Sequence, residues 1–167
     1  MIKTECTFTS GTDWFRLRAC GILINDGKVL MIRNDSDPFY YSVGGCVEHG
    51  ESLEEAAVRE VWEETGCKFE IERLAFIHEN FFRGIAGTIE GMSCHELAFY
   101  YLMKWDPNCM ITSNSKSMGG LPERLEWIEI TQLNNQKMQV YPTFFAKDLF
   151  HLPLRAKHIV TYESSNV

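Results

Sequence analysis

Apolar and polar positions trade places along two runs near the start of the chain, WFRLRACGILI and KVLMIRN, which are joined through Asn25, Asp26 and Gly27. Such β-branched-rich runs read as strands and the junction reads as a tight turn, so residues 14 to 33 are expected to pair as a hairpin. Arg16 and Arg18 alternate with Leu17 and Ala19. A period of two places both arginines on one face of the first strand, turned either to a substrate or to solvent.

Loop signals follow: NDSDPFYY over 34 to 41 carries proline and polar residues, and GGCVEHGE sets three glycines within eight positions. Ser52 with Glu55 three positions later is a capping box, and Gly66 stands where a helix end favours a left-handed residue. Together they predict a helix over 53 to 65. CKFEIERLAFIHENFF and CHELAFYYLMKW return to strand patterns on either side of RGIAGTIEGMS, whose glycines and missing period predict a mobile loop of the kind that closes over ligands. Residues 106 to 122 are polar and turn-rich, and ERLEWIEI over 123 to 130 is a further strand. PTFFAKDLFHL begins with Pro142, suited to a first helical turn, and AKHIVTYE reads as a last strand. No internal repeat or linker interrupts the pattern, so one domain over 1–167 is expected.

Composition narrows the function. At 167 residues, 45% hydrophobic and 23% charged, the chain reads as an ordinary packed domain. A formal net charge of −7 argues against an extended nucleic-acid surface, which needs many Lys and Arg contacts to phosphates. A small phosphorylated ligand stays open if a divalent cation bridges the negative groups. The six cysteines lie at 6, 20, 46, 67, 94 and 109 with no CxxC pair, and read as reduced thiols. With no apolar leader and no stretch of membrane-spanning length, a cytoplasmic location is expected and no membrane partner.

The helix itself carries candidate chemistry. At about 100° per residue, Glu60, Glu63 and Glu64 fall within one arc. Three like charges so close repel, and a hard divalent ion with oxygen ligands converts that repulsion into coordination. Ala56 and Ala57 leave room one turn earlier, while Val58, Val61 and Trp62 are expected to pack inward. Arg59 borders the arc and is placed to pair with Glu51 or one of the site glutamates, fixing its rotamer. Glu54 and Glu55 read as ordinary first-turn charges. A charged surface helix is the bland alternative, but the flanking residues argue against it.

The segment GCVEHGESLEEAAVREVWEETGC, 45 to 67, resembles the Nudix box, G-x5-E-x7-R-E-U-x-E-E-x-G-U, with U a bulky aliphatic residue. Gly45, Glu51, Arg59, Glu60, Glu63, Glu64 and Gly66 meet every fixed position; Val61 fits its aliphatic site and Cys67 departs. A chance match in a chain of this size is on the order of one in a million. Ser42 and Val43 stand where many members have Leu-Pro.

This resemblance implies an α/β fold, an α/β/α sandwich with a mixed sheet between helices. It implies Mg2+, with Mn2+ as a substitute, held by Glu60, Glu63 and Glu64 with the carbonyl of Gly44. Glu60 is in some members the general base instead. A further ligand or base from a strand points to Glu96 first and Glu79 second, with His95 on the opposite face; Glu48 matches a position often acidic in the family. The implied reaction is hydrolysis of a phosphoanhydride bond in a nucleoside diphosphate linked to another moiety, by activated water. Phe81, Phe82, Tyr40 and Trp14 are candidates to stack on a base, and Arg18, Arg33 and Arg83 to touch phosphate. A nucleoside triphosphate, a nucleotide sugar or a non-nucleotide diphosphate each remain open as substrate, as does a regulatory module that binds a nucleotide without turnover. The resemblance also brings in a homodimer, although no residue pattern marks its interface.

Overall fold

The computed structural model describes residues 4–35, 39–85, 87–112, 122–135 and 137–163. At the expected turn, Asp26 and Gly27 both take positive φ, 48° and 75°, matching the twist of a two-residue hairpin. The strands it joins are β3 (Ile24–Asn25) and β4 (Lys28–Asn34), paired Ile24 to Val29 and Asn25 to Lys28. The hairpin expected over 14 to 33 does not persist beyond them. β2 (Asp13–Ile22) runs into a different sheet, where it lies parallel to β8 (Ser93–Met103). The reason is burial on both faces: Ala19 belongs to one apolar cluster and Cys20 and Ile22 to another, all fully buried. A strand covered on both sides belongs in a sheet interior.

Among the described residues the strands form two sheets. The first orders β1 (Thr7–Ser10), β2, β8, β7 (Ile71–Arg83) and β11 (Lys157–Glu163), with β6 (Gly44–Cys46) also on β2; the pairs β2·β8 and β7·β11 are parallel and β7·β8 antiparallel. It is therefore mixed. The second orders β10 (Gln139–Tyr141), β5 (Phe39–Ser42), β4 and β3, with β9 (Glu123–Glu129) on β4. The strands expected over 67 to 82 and 94 to 105 are present but trimmed, and the loop between them carries a short 3-10 turn at Gly87–Ile89. Of the polar stretch over 106 to 122, residues 113 to 121 lie outside the described residues, as do 36 to 38 of the loop before β5.

α1 (Leu53–Thr65) has the predicted bounds, with the Ser52–Glu55 capping box formed at its start and Gly66 at φ 73° at its end. Its buried Ala56, Ala57 and Val61 join Ala19, Val43 and Tyr101 in one cluster. Gly21 lets it approach closely, since a Cβ there would stand 2.4 Å from Val61 Cγ2. α2 (Phe145–Asp148) packs Phe145 into the other cluster with Cys20, Ala98 and Tyr100, across the sheet from α1. Helices on both faces of a mixed sheet give the α/β arrangement.

Three expectations are corrected. Trp62 does not pack inward: it is 45% exposed, one step around the helix from Val61, with Lys68 over its ring at 5.5 Å. Pro142 does not open a helix; the Phe145 amide donates to the Pro142 carbonyl in a turn, and the buried Phe144 and Phe145 set α2 three residues later. Cys67 and Cys109 are joined in a disulfide and are not reduced thiols, while Cys6, Cys20, Cys46 and Cys94 are free. Gly66 turns the chain past the helix end and the Thr112 amide donates to the Thr65 carbonyl, which carries Cys109 across to Cys67. A separation of 42 residues gives no sequence signal of that approach.

Candidate active site

β6 pairs with β2 through Cys20–Gly44, Ala19–Gly45 and Arg18–Cys46, which lays the glycine segment along α1. The Gly44 amide donates to Glu64 Oε2 at 2.8 Å, and Arg18 Nη2 donates to the Gly44 carbonyl at 2.7 Å. Gly45 leaves space that Glu60 fills: a Cβ on it would stand 2.3 Å from Glu60 Oε2. One turn of helix and one glycine pair therefore hold two carboxylates against backbone.

Arg59 is the cation among them. Its Nε and Nη2 donate to Glu51 Oε2 and Oε1 at 3.0 and 2.5 Å, its Nη1 to Glu60 Oε1 at 2.7 Å and Glu63 Oε2 at 3.3 Å, and Nη2 also to the Cys46 carbonyl at 3.0 Å. Glu48 Oε2 lies 3.9 Å from Arg59 Nε. Bonding to Glu51, against the opposing effect of burial and with help from Glu60, lifts the guanidinium well above its ordinary value. Glu51 also accepts from the Glu48 amide at 2.7 Å, so the arginine is anchored to the loop as well as to the helix.

Burial pushes the Glu60 carboxyl up, with Glu63 adding to the rise and Arg59 opposing it. Burial raises Glu64 further still, reinforced by Glu60, while the Gly44 amide and Arg18 only partly offset it. The pair carries more negative charge than its surroundings neutralise. Among the described residues no group of three or more His, Cys, Asp or Glu side chains is closed around one ion-sized point, because Arg59 spans Glu60 and Glu63 and Glu64 turns to Gly44. The donor set nonetheless fits a hard divalent ion: crowded carboxylate oxygens held short of full compensation, beside a backbone carbonyl and a glycine cradle.

Glu96 lies on β8 beside Arg16 in register and is only 6% exposed. Arg16 Nε donates to Glu96 Oε2 at 3.0 Å and Arg18 Nη1 reaches Oε1 at 3.5 Å. Burial pushes this carboxyl up, but Arg18 and Arg16 outweigh it and hold it below the ordinary range. Glu96 thus joins the site through Arg18 and Gly44. Glu79 faces the other side, between His158 Nε2 at 2.6 Å and His95 Nε2 at 3.5 Å.

The substrate candidates separate. Arg18 is at the site, whereas Arg33 lies in the second sheet, exposed, donating to Tyr40 at 3.2 Å with its guanidinium over that ring. Phe81 and Phe82 are neighbours on β7 and so face opposite ways: Phe81 stacks between His95 and Tyr162 at 4.3 and 5.0 Å, and Phe82 meets Trp14 edge-on at 6.5 Å. Both border an open pocket of about 390 Å3 with Arg83, Ser93, Tyr162 and Glu163.

Sequence reasoning missed a buried polar chain on the Glu96 face. His78 Nε2 lies 2.7 Å from Thr161 Oγ1, which donates to Asn80 Oδ1 at 2.7 Å. The hydroxyl proton is spent on Asn80, so His78 Nε2 is the donor and its Nδ1 is unprotonated, with no partner among the described residues. Only the register of two strands, β7 and β11, brings these residues together. Burial pushes the His78 ring from 6.5 down to about 4. Above pH 6.5 neither folded nor unfolded chain protonates it; between 6.5 and about 4 only the unfolded chain does, so folding stability falls as pH falls. The full loss is about 3 kcal/mol. Urea unfolding at pH 7 and pH 4.5, done on both proteins so that other titrating groups such as Glu64 cancel, is expected to show the wild type losing more stability, or gaining less, than His78→Gln by most of that amount; the same change in both proteins refutes the assignment.

A family model described as NUDIX domain matches residues 14–147. The chain is 36% identical over 70 residues to a MutT-like protein of Streptomyces ambofaciens, covering 41% of this chain and 46% of that one. It is 40% identical over 63 residues to the ADP-ribose pyrophosphatase of Methanocaldococcus jannaschii, covering 36% and 37%. The chain thus spans less than half the length of these two curated relatives. The crystal structure of the MutT protein of Bacillus halodurans superposes with TM-score 0.63 at 19% identity, over 90% of this chain and 92% of that one, a likeness of fold. With four fifths of its length matched and every fixed position of the box filled, the chain belongs to the Nudix family.

Proposed function

We propose that the protein is a Mg2+-dependent pyrophosphohydrolase that cuts a phosphoanhydride bond in a nucleoside diphosphate linked to another moiety. The observation that carries this is the pair Glu60 and Glu64, half-buried against the glycines with their charge incompletely compensated. Glu60, Glu63 and Glu64 would hold the ion, with the Gly44 carbonyl. A bound divalent cation supplies neutralisation of phosphoryl charge and acidifies water. Where Glu63 and Glu64 alone hold the ion, Glu60, its carboxyl raised by burial, is instead the group that takes the proton from the attacking water. Arg59, fixed by Glu51, keeps the Glu60 carboxylate in one rotamer, and Arg18 presents cationic charge at the Gly44 end of the site. Trp14 and Phe82 form the aromatic corner on the same sheet face as Arg16 and Arg18, where a base can stack.

The choice of a diphosphate linked to a second group draws support from the relative named as an ADP-ribose pyrophosphatase. No helix among the described residues is long and apolar enough to cross a membrane, which fits the cytoplasmic location that belongs to this reading. A homodimer, to be read by light scattering, belongs to it too. The test is a panel of nucleoside diphosphates linked to sugars, nucleoside triphosphates and non-nucleotide diphosphates, each with Mg2+ or Mn2+, read by product mass. The expected result is cleavage between phosphorus atoms in a nucleoside diphosphate derivative. Preference for triphosphates would overturn the substrate assignment, and no turnover across the panel would make the protein a nucleotide-binding module.

A further inference from the structure

Four residues past Glu63 and three past Glu64, Cys67 is bonded to Cys109. The two sulfurs join unlike surroundings: Cys67 is 2% exposed at the end of α1, whereas Cys109 is half-buried in the segment after β8. Among the described residues, that segment is also tied to the helix by the packing of Ile111 against the cluster of Ala56, Ala57 and Val61 and by contacts at Thr112. The Thr112 amide donates to the Thr65 carbonyl at 2.9 Å, and the Thr112 hydroxyl fills the space beside Gly66, 2.7 Å from where a Cβ would stand. Trp105 stacks on Phe69 at 5.5 Å on the approach to it. The last turn of α1 is in turn pinned by Thr65, whose hydroxyl donates to the Val61 carbonyl at 2.6 Å and accepts from the Cys67 amide at 3.1 Å. Movement at Cys67 therefore reaches the turn that carries Glu63 and Glu64. A basic side chain in the last turn would steady a helix end, and α1 has none.

We propose that Cys67 and Cys109 are a reversible thiol-oxidation site that couples the redox state of the pair to the order of the last turn of α1, and so to the divalent-ion site at Glu63 and Glu64. Cys109, the accessible partner, attacks a low-molecular-weight disulfide as its thiolate, forming a mixed disulfide and releasing one thiolate. Cys67, as its thiolate, then attacks the Cys109 sulfur, closing the protein disulfide and releasing the second. Two protein thiols are oxidised and the small disulfide is reduced to two thiols. A dithiol reverses both steps. The inference rests on the metal-site reading only in its last link, from helix order to ion binding.

The test treats the whole protein with oxidised glutathione or with dithiothreitol, removes the reagent, and alkylates under denaturing conditions. Six cysteines are labelled in the reduced form and four in the oxidised form, with Cys67 and Cys109 recovered as one linked peptide. Closing a loop of 42 residues is expected to raise Tm by on the order of 10 °C. Reduction is expected to speed amide exchange at 62 to 67 and to weaken Mg2+ binding, followed by calorimetry, by roughly tenfold. Cys109→Ser, which leaves the buried Cys67 in place, is expected to match the reduced form and to ignore both reagents. Labelling of all six cysteines after oxidation, or linkage with unchanged exchange at 62 to 67, overturns the proposal. Linkage and altered exchange with no Mg2+ binding in either form would sustain the redox coupling to the helix and overturn the metal-site reading instead.

Discussion

Replacing Glu64 with Gln is expected to slow turnover by about 100-fold or more and, without divalent ions, to make the folded protein more stable. The two effects have one cause. Burial holds the folded Glu64 carboxyl well above its ordinary value, so at neutral pH folding must either desolvate the charge or take up a proton, a cost the unfolded chain does not bear. The sign follows: with a folded pKa raised above 4.5, the metal-free wild type gains stability as pH falls from that folded value toward 4.5, and forfeits it again as pH rises. Gln has no such penalty and keeps an oxygen to accept from the Gly44 amide. Adding Mg2+ reverses the order. At 100 times its dissociation constant a ligand stabilises by about 2.7 kcal/mol, a rise in Tm of roughly 5–10 °C for a chain of this size, and the wild type is expected to show that rise while the variant shows little. Scanning calorimetry of both proteins with and without Mg2+ decides it. A variant less stable than wild type without the ion would mean that Glu64 is a structural acceptor, not a carboxylate waiting for a cation.

What could be read from residues alone follows the range of the interactions involved. The bounds of α1 were legible because its caps are local: Ser52, Glu55 and Gly66 act within one turn of themselves. The turn at Asp26 and Gly27 was legible for the same reason, but the fate of the strand before it was not. Residues 19 to 22 are apolar on both sides, and a strand of that kind is claimed by whichever sheet covers both faces, a matter settled far along the chain at β8. In the candidate site, spacing on one helix showed that Glu60, Glu63 and Glu64 share an arc. It did not show that Glu64 turns to the Gly44 amide, or that Arg18 joins Gly44, 26 residues away, to Glu96, 78 residues away. His78, Asn80 and Thr161 carry no motif and are assembled only by strand register. The Cys67–Cys109 pair is of the same kind: it depends on the fold of everything between.

The two adjacent glycines are expected to fail in different ways when given a methyl group. Gly44 sits at φ 134°, and a Cβ there would meet the Cys20 Cα at 2.5 Å and the Ala19 carbonyl oxygen at 2.6 Å. Both neighbours are backbone of a central strand, with no rotamer to change, so Gly44→Ala must shift β6 off β2 as well as hold a strained φ. The expected cost is roughly 2–6 kcal/mol, a large part of the stability of a domain this size, and insoluble or unfolded material is an acceptable form of that result. Gly45 has no positive φ, and the three atoms its Cβ would approach most closely, at 2.3 to 2.7 Å, all belong to the carboxylate of Glu60. That is the far end of a flexible side chain, which can rotate away, so Gly45→Ala is expected to fold with Tm within a few degrees of wild type (less than about 1 kcal/mol). Its damage falls on function: Glu60 leaves its place beside Arg59 and the glycine backbone, and turnover drops by roughly 10- to 100-fold. Thermal unfolding and Mg2+-dependent hydrolysis measured on both variants separate the two glycines. If Gly45→Ala unfolds while Gly44→Ala does not, the glycine segment is set against β2 and α1 in some other way than this structure describes.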